Sequence, residues 1–201
     1  MRRKKKKGAV PLSERLSPSA SQSGRAAKVP PHFFTPPSCR VGLGSDIHRL
    51  VAGRKLMLSG VQIPFEKGPL GHSDGDVLAH AICDALLGAA ELGDMGRYFP
   101  DDSPQWHNAP GLVFLRRVRQ LLDDADYEVV NIDATVGLER PKLASNIAAI
   151  RRKLARALGM APEQVSVKAK SGEGLDAVGR GEAIRADAVA LIVRRSPKTS
   201  G

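Results

Sequence analysis

The stretch SDGDVLAHAICDALLGAAELG, residues 73–93, decides the fold class of this 201-residue chain. Its apolar residues, Val77, Ala81, Leu86 and Ala90 among them, recur at the period of a helix that buries one face. Ser73 or Asp74 stands where a side-chain oxygen would cap the first free backbone N–H groups of that helix. Just upstream, GPLGHSD (68–74) holds too much Gly and Pro for a regular element. Before it, KLMLSGVQIPF (55–65) reads as a hairpin turning at Ser59-Gly60, and RVGLGSDIHRLV (40–51) as a strand whose polar residues gather at its end.

Downstream, DMGRYFPDDSPQWHNAPG (94–111) reads as a polar loop, and LVFLRRVRQLLDD (112–124) as a helix with Val113, Phe114, Val118, Leu121 and Leu122 on one stripe. YEVVNIDATVGLE (127–139) is rich in β-branched residues and predicts a strand. Ile147, Ile150, Leu154 and Leu158 predict a further helix over 146–158, stopped by Gly159. VSVKAK (165–170) is a short strand, SGEGLDAVGRGE (171–182) a glycine-rich loop, and AIRADAVALIVR (183–194) the last strand. The implied class is α/β (α+β): one compact domain over residues 40–195, with a mixed four-stranded sheet covered by three helices and no internal repeat.

The chain carries a formal charge of +10, but residues 1–39 hold nine Lys/Arg against the single acid Glu14, leaving 22 basic and 20 acidic residues for the rest. This Pro- and Ser-rich extension, opening RRKKKK, has too little apolar surface to fold alone, and residues 196–201 read as a flexible end. It reads as a solvated extension or the product of an upstream start codon, able to attract polyanions nonspecifically but no sign of a dedicated nucleic-acid or membrane partner. No apolar h-region follows the lysines, which argues against a secretory signal, and plastid targeting is a minor alternative to a cytoplasmic location. The longest apolar run near the C-terminus, Ala188–Val193, is strand-sized and far short of a membrane span. Two cysteines without CxxC spacing, Cys39 and Cys83, argue against a disulfide framework and suit a reducing compartment.

Three polar clusters carry chemistry. In an extended chain Asp46 and His48 project to one side about 6.6 Å apart along the backbone, and His80 on the separate helix would complete an O/N/N set suited to zinc with a fourth position open. Asp76 and Asp84, each four residues from His80, are placed to take its second ring N–H; either is equally readable as ordinary helix surface or dipole compensation. Cys83 reads as a small packing residue. The run Gly71–Asp76 combines His72 and Ser73 with helix-start N–H groups that suit a phosphate, although its acids oppose an open anion pocket unless a metal intervenes. Lys168–Gly174 sets Lys170 and Ser171 beside Glu173, a candidate ligand for a harder divalent ion on phosphates, without the spacing of a P-loop. Arg180 is either a phosphate contact or a solvated loop residue.

The segments RVGLGSDIH, IPFEKGPLGHSDGDVLAHAICDALLGAA, LGDMGRYFPDD, ERPK and VKAKSGEGLDAVGRGEAI together resemble the 2-C-methyl-D-erythritol 2,4-cyclodiphosphate synthase family across nearly all of residues 40–194. The resemblance implies a homotrimer with active sites at subunit interfaces and helices outside the sheets. It implies a lyase that converts 4-diphosphocytidyl-2-C-methyl-D-erythritol 2-phosphate, a CDP-linked small molecule, to the cyclic diphosphate and CMP in the non-mevalonate route to isoprenoids. Zinc would be held by Asp46, His48 and His80, of which Asp46 and His48 would also stand against the substrate. His72 and Ser73 match positions near the methylerythritol phosphate, and His72 with Ser171 matches the catalytic pair that stabilises the transition state.

Asp94, Gly96, Phe99, Pro100, Asp101, Asp102 and Ser103 match substrate contacts. Cytidine would lie against Leu138, Glu139, Arg140, Pro141, Lys142, Leu143 and Ala144, read by backbone groups. Lys170, Gly172 and Ala177 fall in the matching loop, Glu173 would hold Mg²⁺ or Mn²⁺ between the phosphates, and Arg180 would grip the diphosphate. The chain departs from the family pattern at Lys170-Ser171, where Thr-Thr is common, at Asp176 for Gly, at Ala177 for an aromatic, and at Leu43 and Ser45 before Asp46.

Overall fold

The computed structural model describes residues 39–71, 73–100 and 102–195. Seven strands and four α-helices follow in the order β1 (Cys39–Ala52), β2 (Leu56–Leu58), β3 (Val61–Ile63), β4 (Lys67–Pro69), α1 (Val77–Ala89), α2 (Met95–Tyr98), α3 (Gly111–Asp124), β5 (Tyr127–Gly137), α4 (Ile147–Leu158), β6 (Val165–Lys170) and β7 (Ala183–Arg194). Short 3-10 turns at Pro104–Trp106 and Pro162–Gln164 complete them.

The sheet is mixed, as expected, but has five strands in the order β4-β1-β7-β5-β6, with β2 and β3 forming a separate hairpin. The fifth strand is β4, inside the Gly/Pro-rich segment read as irregular. Lys67–Pro69 pairs antiparallel with Leu50–Ala52, and Pro69 is tolerated because β4 is an edge strand. The hairpin turns at Ser59-Gly60, both at positive φ (48° and 70°), as its sequence predicts. The polar loop after Leu92 contains α2 and a 3-10 turn, elements too short to leave a periodic signal.

β5 and β6 run parallel through α4, whose stop is Gly159 in the left-handed region at φ 69°. The stripe on α3 differs in detail: Phe114, Leu115, Val118 and Leu122 are buried, while Val113 and Leu121 are half-buried. Asp76, rather than Ser73 or Asp74, caps α1, its Oδ1 accepting from the Ala79 N–H at 3.1 Å. Asp74 instead accepts from the N–H groups of Asp76 (3.2 Å) and Gly111 (3.0 Å), tying the loop to the start of α3.

Among the described residues, helices cover one face of the sheet. Gly44, Ala188, Ala134 and Val167 are successive cross-strand partners, all buried under the helical layer. Their odd-parity neighbours point the other way, so Val41, Leu43, Ile47 and Val189 are 43–71% exposed. Among the described residues no helix is long and apolar enough to cross a membrane.

α1 lies directly on β1. A Cβ at Gly42 would stand 1.9 Å from the Ala85 carbonyl oxygen, and one at Gly44 would stand 2.0 Å from that of Ala81. The two backbones thus approach as only glycine on the strand and alanine on the helix allow. Gly44→Ala should lower unfolding free energy by about 1–3 kcal/mol or more in urea titration, because backbone rather than a movable side chain meets the new methyl. Gly88→Ala, on the exposed side of α1 with open space around it, should instead raise stability by roughly 0.5–1 kcal/mol.

Candidate metal centre and substrate cavity

The contact between α1 and β1 sets the site. Beyond Gly44, the next even-parity residues of β1 are Asp46 and His48, and they meet His80 near the start of α1. His80 Nδ1 lies 2.9 Å from Asp46 Oδ2 and 3.3 Å from His48 Nε2, and His48 Nε2 lies 3.2 Å from the same carboxylate oxygen. One atom from each residue therefore falls within 4.8 Å of the others, an arrangement that can hold a metal ion. Ligands about 2.0–2.1 Å from a tetrahedral zinc stand about 3.3–3.4 Å from each other, so this donor set fits zinc in spacing as well as in type.

The electrostatics favour a charged carboxylate. Burial works to raise the Asp46 pKa, but the hydrogen bond from His80 and the two imidazoles outweigh it and hold the group below its ordinary value. Burial works to lower His80, and Asp46 beside Nδ1 outweighs it in turn, so the imidazole sits above its ordinary value. Asp46 is thus ready as an anionic ligand, whereas a proton on His80 competes with a cation for the site. The second nitrogen of His80 faces Ser73 Oγ at 3.4 Å. Neither acid considered for that place takes it: Asp76 caps α1, and Asp84 accepts from the Met95 N–H at 2.8 Å.

The cluster opens into a cavity of about 720 Å³, lined also by Ser73, Asp84, Gly96, Phe99 and Pro100. Its apolar wall is an aromatic group in which Phe99, Trp106 and Phe114 pack with ring centroids 4.9–5.7 Å apart, Phe114 also lying 5.7 Å from the His80 ring. Sequence reading missed Trp106, which sits in the polar loop, and Phe114, which its helical stripe made a core residue. Leu70 and Met95 are further lining residues it did not select, while Gly71 belongs to the Gly71–Asp76 run it did. Asp84 was singled out, but for the wrong contact.

Other candidate residues lie elsewhere. Asp94 caps α2 by accepting from Arg97 N–H at 3.2 Å, Asp102 is exposed, and the Ser103 N–H donates to the Pro100 carbonyl at 3.0 Å. His72 and Asp101 fall outside the described residues, as do residues 1–38 and 196–201.

The loops after β5 and β6 form a second group, side by side because those strands are parallel neighbours. Leu138 N–H donates to the Lys170 carbonyl at 2.8 Å and Gly172 N–H to Glu139 Oε2 at 3.1 Å. Leu138 and Leu143 are buried, while Arg140, Lys142, Ala144 and Lys170 are exposed and Pro141 follows a cis peptide. Ser171 Oγ donates to Glu173, and Arg180 pairs with Glu182 at 3.1 Å. Asp176 accepts from the Gly179 N–H at 2.9 Å and so braces the turn that contains Ala177. No residue of this second group lines the cavity of the first.

A family model described as the YgbB family matches residues 39–193. The 2-C-methyl-D-erythritol 2,4-cyclodiphosphate synthase of Nitrosospira multiformis is 53% identical over 160 residues, covering 80% of this chain and 90% of that protein. The enzyme of the same name from Moorella thermoacetica is 51% identical over 78% of this chain and 96% of its own length. A solved 2C-methyl-D-erythritol-2,4-cyclodiphosphate synthase structure, in a form bound to CDP, superposes with a TM-score of 0.71 at 38% identity, covering 76% of this chain and 99% of that one.

Asp76 supplies a pH test of the frame around the site. It is fully buried, its Oδ2 has no hydrogen-bond partner among the described residues, and burial, with Asp74 nearby, pushes its carboxyl up to about 7. A carboxyl raised on folding binds its proton more tightly in the native state, so stability is lost as pH climbs from about 4 to about 7. Asp76→Asn keeps the cap and removes the charge. In EDTA-treated protein it should be more stable than wild type by roughly 2–4 kcal/mol at pH 8, and the gap should close near pH 4, as read from urea midpoints at each pH.

Proposed function

The chain belongs to the YgbB family, and from that premise we infer that it cyclises 4-diphosphocytidyl-2-C-methyl-D-erythritol 2-phosphate, releasing CMP. It is a phosphorus–oxygen lyase of the non-mevalonate route to isoprenoid precursors. The observation that carries this reading is the convergence of Asp46, His48 and His80 within 3.3 Å of one another at the mouth of an aromatic-walled cavity. In the reaction an oxygen of the 2-phosphate attacks the β-phosphorus, the bond from that phosphorus to the α–β bridging oxygen breaks, and CMP departs with the electron pair. Nucleophile and electrophile belong to one molecule, so the protein has to fold the substrate, offset negative charge and exclude water.

The named residues suit those tasks. Asp46, His48 and His80 would hold zinc, which when bound supplies a Lewis acid and template at the β-phosphate. Ser73, 3.4 Å from His80, presents a hydroxyl on the cavity side where a phosphate oxygen would lie. Phe99, Trp106 and Phe114 keep one wall dry, which favours cyclisation over hydrolysis. Glu173 would hold Mg²⁺ or Mn²⁺ on the diphosphate, with Ser171, Lys170 and Arg180 beside it, and the backbone of residues 138–144 would read the cytosine. We assign His72 to the transition-state pair with Ser171 on the family resemblance.

The metal group and the nucleotide group do not share a cavity within one chain. A trimer resolves this by letting the second group of one copy close the cavity of the next. The bare sheet face supports such an assembly, since Val41, Leu43, Ile47 and Val189 are more than two-fifths exposed in the isolated chain. The catalytic domain then corresponds to residues 40–195, and the basic extension before it takes no part in turnover.

Purified protein supplied with Zn²⁺ and Mg²⁺ should release CMP stoichiometrically with the cyclic diphosphate and carry about one zinc per chain. His48→Ala should lose both the zinc, by elemental analysis, and at least about a hundredfold in turnover. Wild-type protein that binds neither zinc nor the CDP-linked substrate would overturn the reading. Leu43 and Val189 face each other across β1 and β7 on the bare side, so the double variant Leu43→Arg/Val189→Arg should sediment as a monomer. It should lose turnover while keeping its far-ultraviolet circular dichroism, because no group under the helical layer is touched.

A further inference from the structure

Among the described side chains that line the cavity, Asp46, His48, Ser73, His80 and Asp84 are the polar ones, and only Asp84 stands outside the metal cluster and its Ser73 neighbour. It lies one helical turn after His80 on the same face of α1. The carboxylate is half-buried, with its Oδ1 accepting from the Met95 N–H at 2.8 Å. Met95 is the first residue of α2, where a helix leaves its backbone N–H without an internal partner. Phe99 N–H in turn donates to the Met95 carbonyl at 2.8 Å, and Phe99 lines the cavity together with Met95, Gly96 and Pro100.

We propose that Asp84 is a positioning residue that fixes the Met95–Pro100 wall of the cavity at a set distance from the metal ligands on α1 and β1. α2 has only four residues, too few to hold its own place by helix cooperativity. Its attachment to the rigid α1 therefore decides where the wall stands. A charge-assisted bond from a backbone N–H to a partly buried carboxylate is stronger than a neutral one, and it needs only an oxygen at that point. Behind Asp84, α1 packs directly on β1, so closely that a Cβ at Gly44 would stand 2.0 Å from the Ala81 carbonyl oxygen and 3.0 Å from the Asp84 Cβ. His80 and Asp84 thus ride on one helix, and beside the packing of Phe99 on Trp106 and Phe114 the Asp84–Met95 bond is the direct polar tie from that helix to the start of the wall.

The inference rests on the synthase reading, and the test separates the two. In metal-loaded protein Asp84→Ala should lower kcat/KM by about 10- to 100-fold, mostly through KM, with zinc content unchanged. Asp84→Asn, which keeps an acceptor oxygen, should recover most of that loss. Proline is well tolerated at the first position of a helix and lacks the donor, so Met95→Pro should lose at least about fivefold more than Met95→Ala, which keeps the N–H. Amide hydrogen exchange over residues 95–99 should speed up in Asp84→Ala and Met95→Pro only.

Equal impairment in Asp84→Asn and Asp84→Ala would show that the charge matters rather than the bond and would overturn the proposal, as would unchanged kinetics in Asp84→Ala. Should Asp84→Ala fail to fold, equal losses in Met95→Pro and Met95→Ala would do the same. Absence of turnover in wild-type protein would instead remove the synthase reading and this inference with it.

Discussion

The structure depends on the direct contact of α1 with the backbone of β1. Two residues along a strand advance about 6.8 Å and one helical turn retreats about 5.4 Å, so Gly42 and Gly44 on β1 fall in turn beneath the Ala89–Ala85 and Ala85–Ala81 steps of α1. The series carries on without further design: the next strand position is Asp46, and the next turn of helix brings His80. A larger side chain at either glycine would lift the helix and spread three ligand atoms that now lie within 3.3 Å of each other. Packing and chemistry are therefore one constraint here, because the close approach that buries the alanines of α1 also builds the metal centre.

That centre carries its own electrostatic tension. Two imidazoles and one carboxylate are gathered where burial penalises charge, and without a cation they satisfy each other by hydrogen bonds centred on Asp46. The same contacts that hold Asp46 below its ordinary pKa raise His80, so the pair favours an anionic carboxylate and a more basic imidazole at one point. Around it, Ser73 and Asp74 do structural work: Ser73 Oγ accepts from the Gly75 N–H at 3.1 Å, and Asp74 pins the start of α3. The acids that seemed to oppose a phosphate pocket are thus turned into the backbone rather than toward the cavity.

Sequence reading found the long elements because their patterns run over many residues. Strand β6, strand β7 and the Ser59-Gly60 hairpin lie where alternation and turn residues put them, and the Asp46/His48/His80 trio was visible as an i, i+2 pair plus a helical histidine. What escaped was short or depended on distance. β4 has three residues and owes its pairing to β1, not to its own propensity, and α2 has four residues held by Asp94 and Asp84. Asp76 outcompeted Ser73 and Asp74 as the cap because Ser73 and Asp74 are engaged elsewhere, which no local pattern reveals. Phe114 was legible as core, but its ring also walls the cavity, since the helical stripe of α3 continues past the edge of α1 to the site. The aromatic expected at residue 177 is absent, and Asp176 gives that loop a hydrogen-bonded turn in place of a packed ring.

The same one-sidedness that makes the site leaves the other face of the sheet bare. Among the described residues the helices lie on one face, so α1 can press its metal ligand against β1, while the parallel strands β5 and β6 bring their C-terminal loops side by side. In a single chain the cavity beside Asp46, His48 and His80 is consequently separate from the loops that follow β5 and β6. Its uncovered sheet face mixes Val41, Leu43, Ile47 and Val189 with the paired charges Asp133–Lys168 and Arg185–Asp187, the latter also bonded by Ser45. Such a face has enough apolar surface to associate and enough fixed polar geometry to select one register, as a closed symmetric assembly requires. In the trimer proposed above, repetition of this small domain would bring the two groups onto one substrate, with the sheet joining the copies and the helices on the outside.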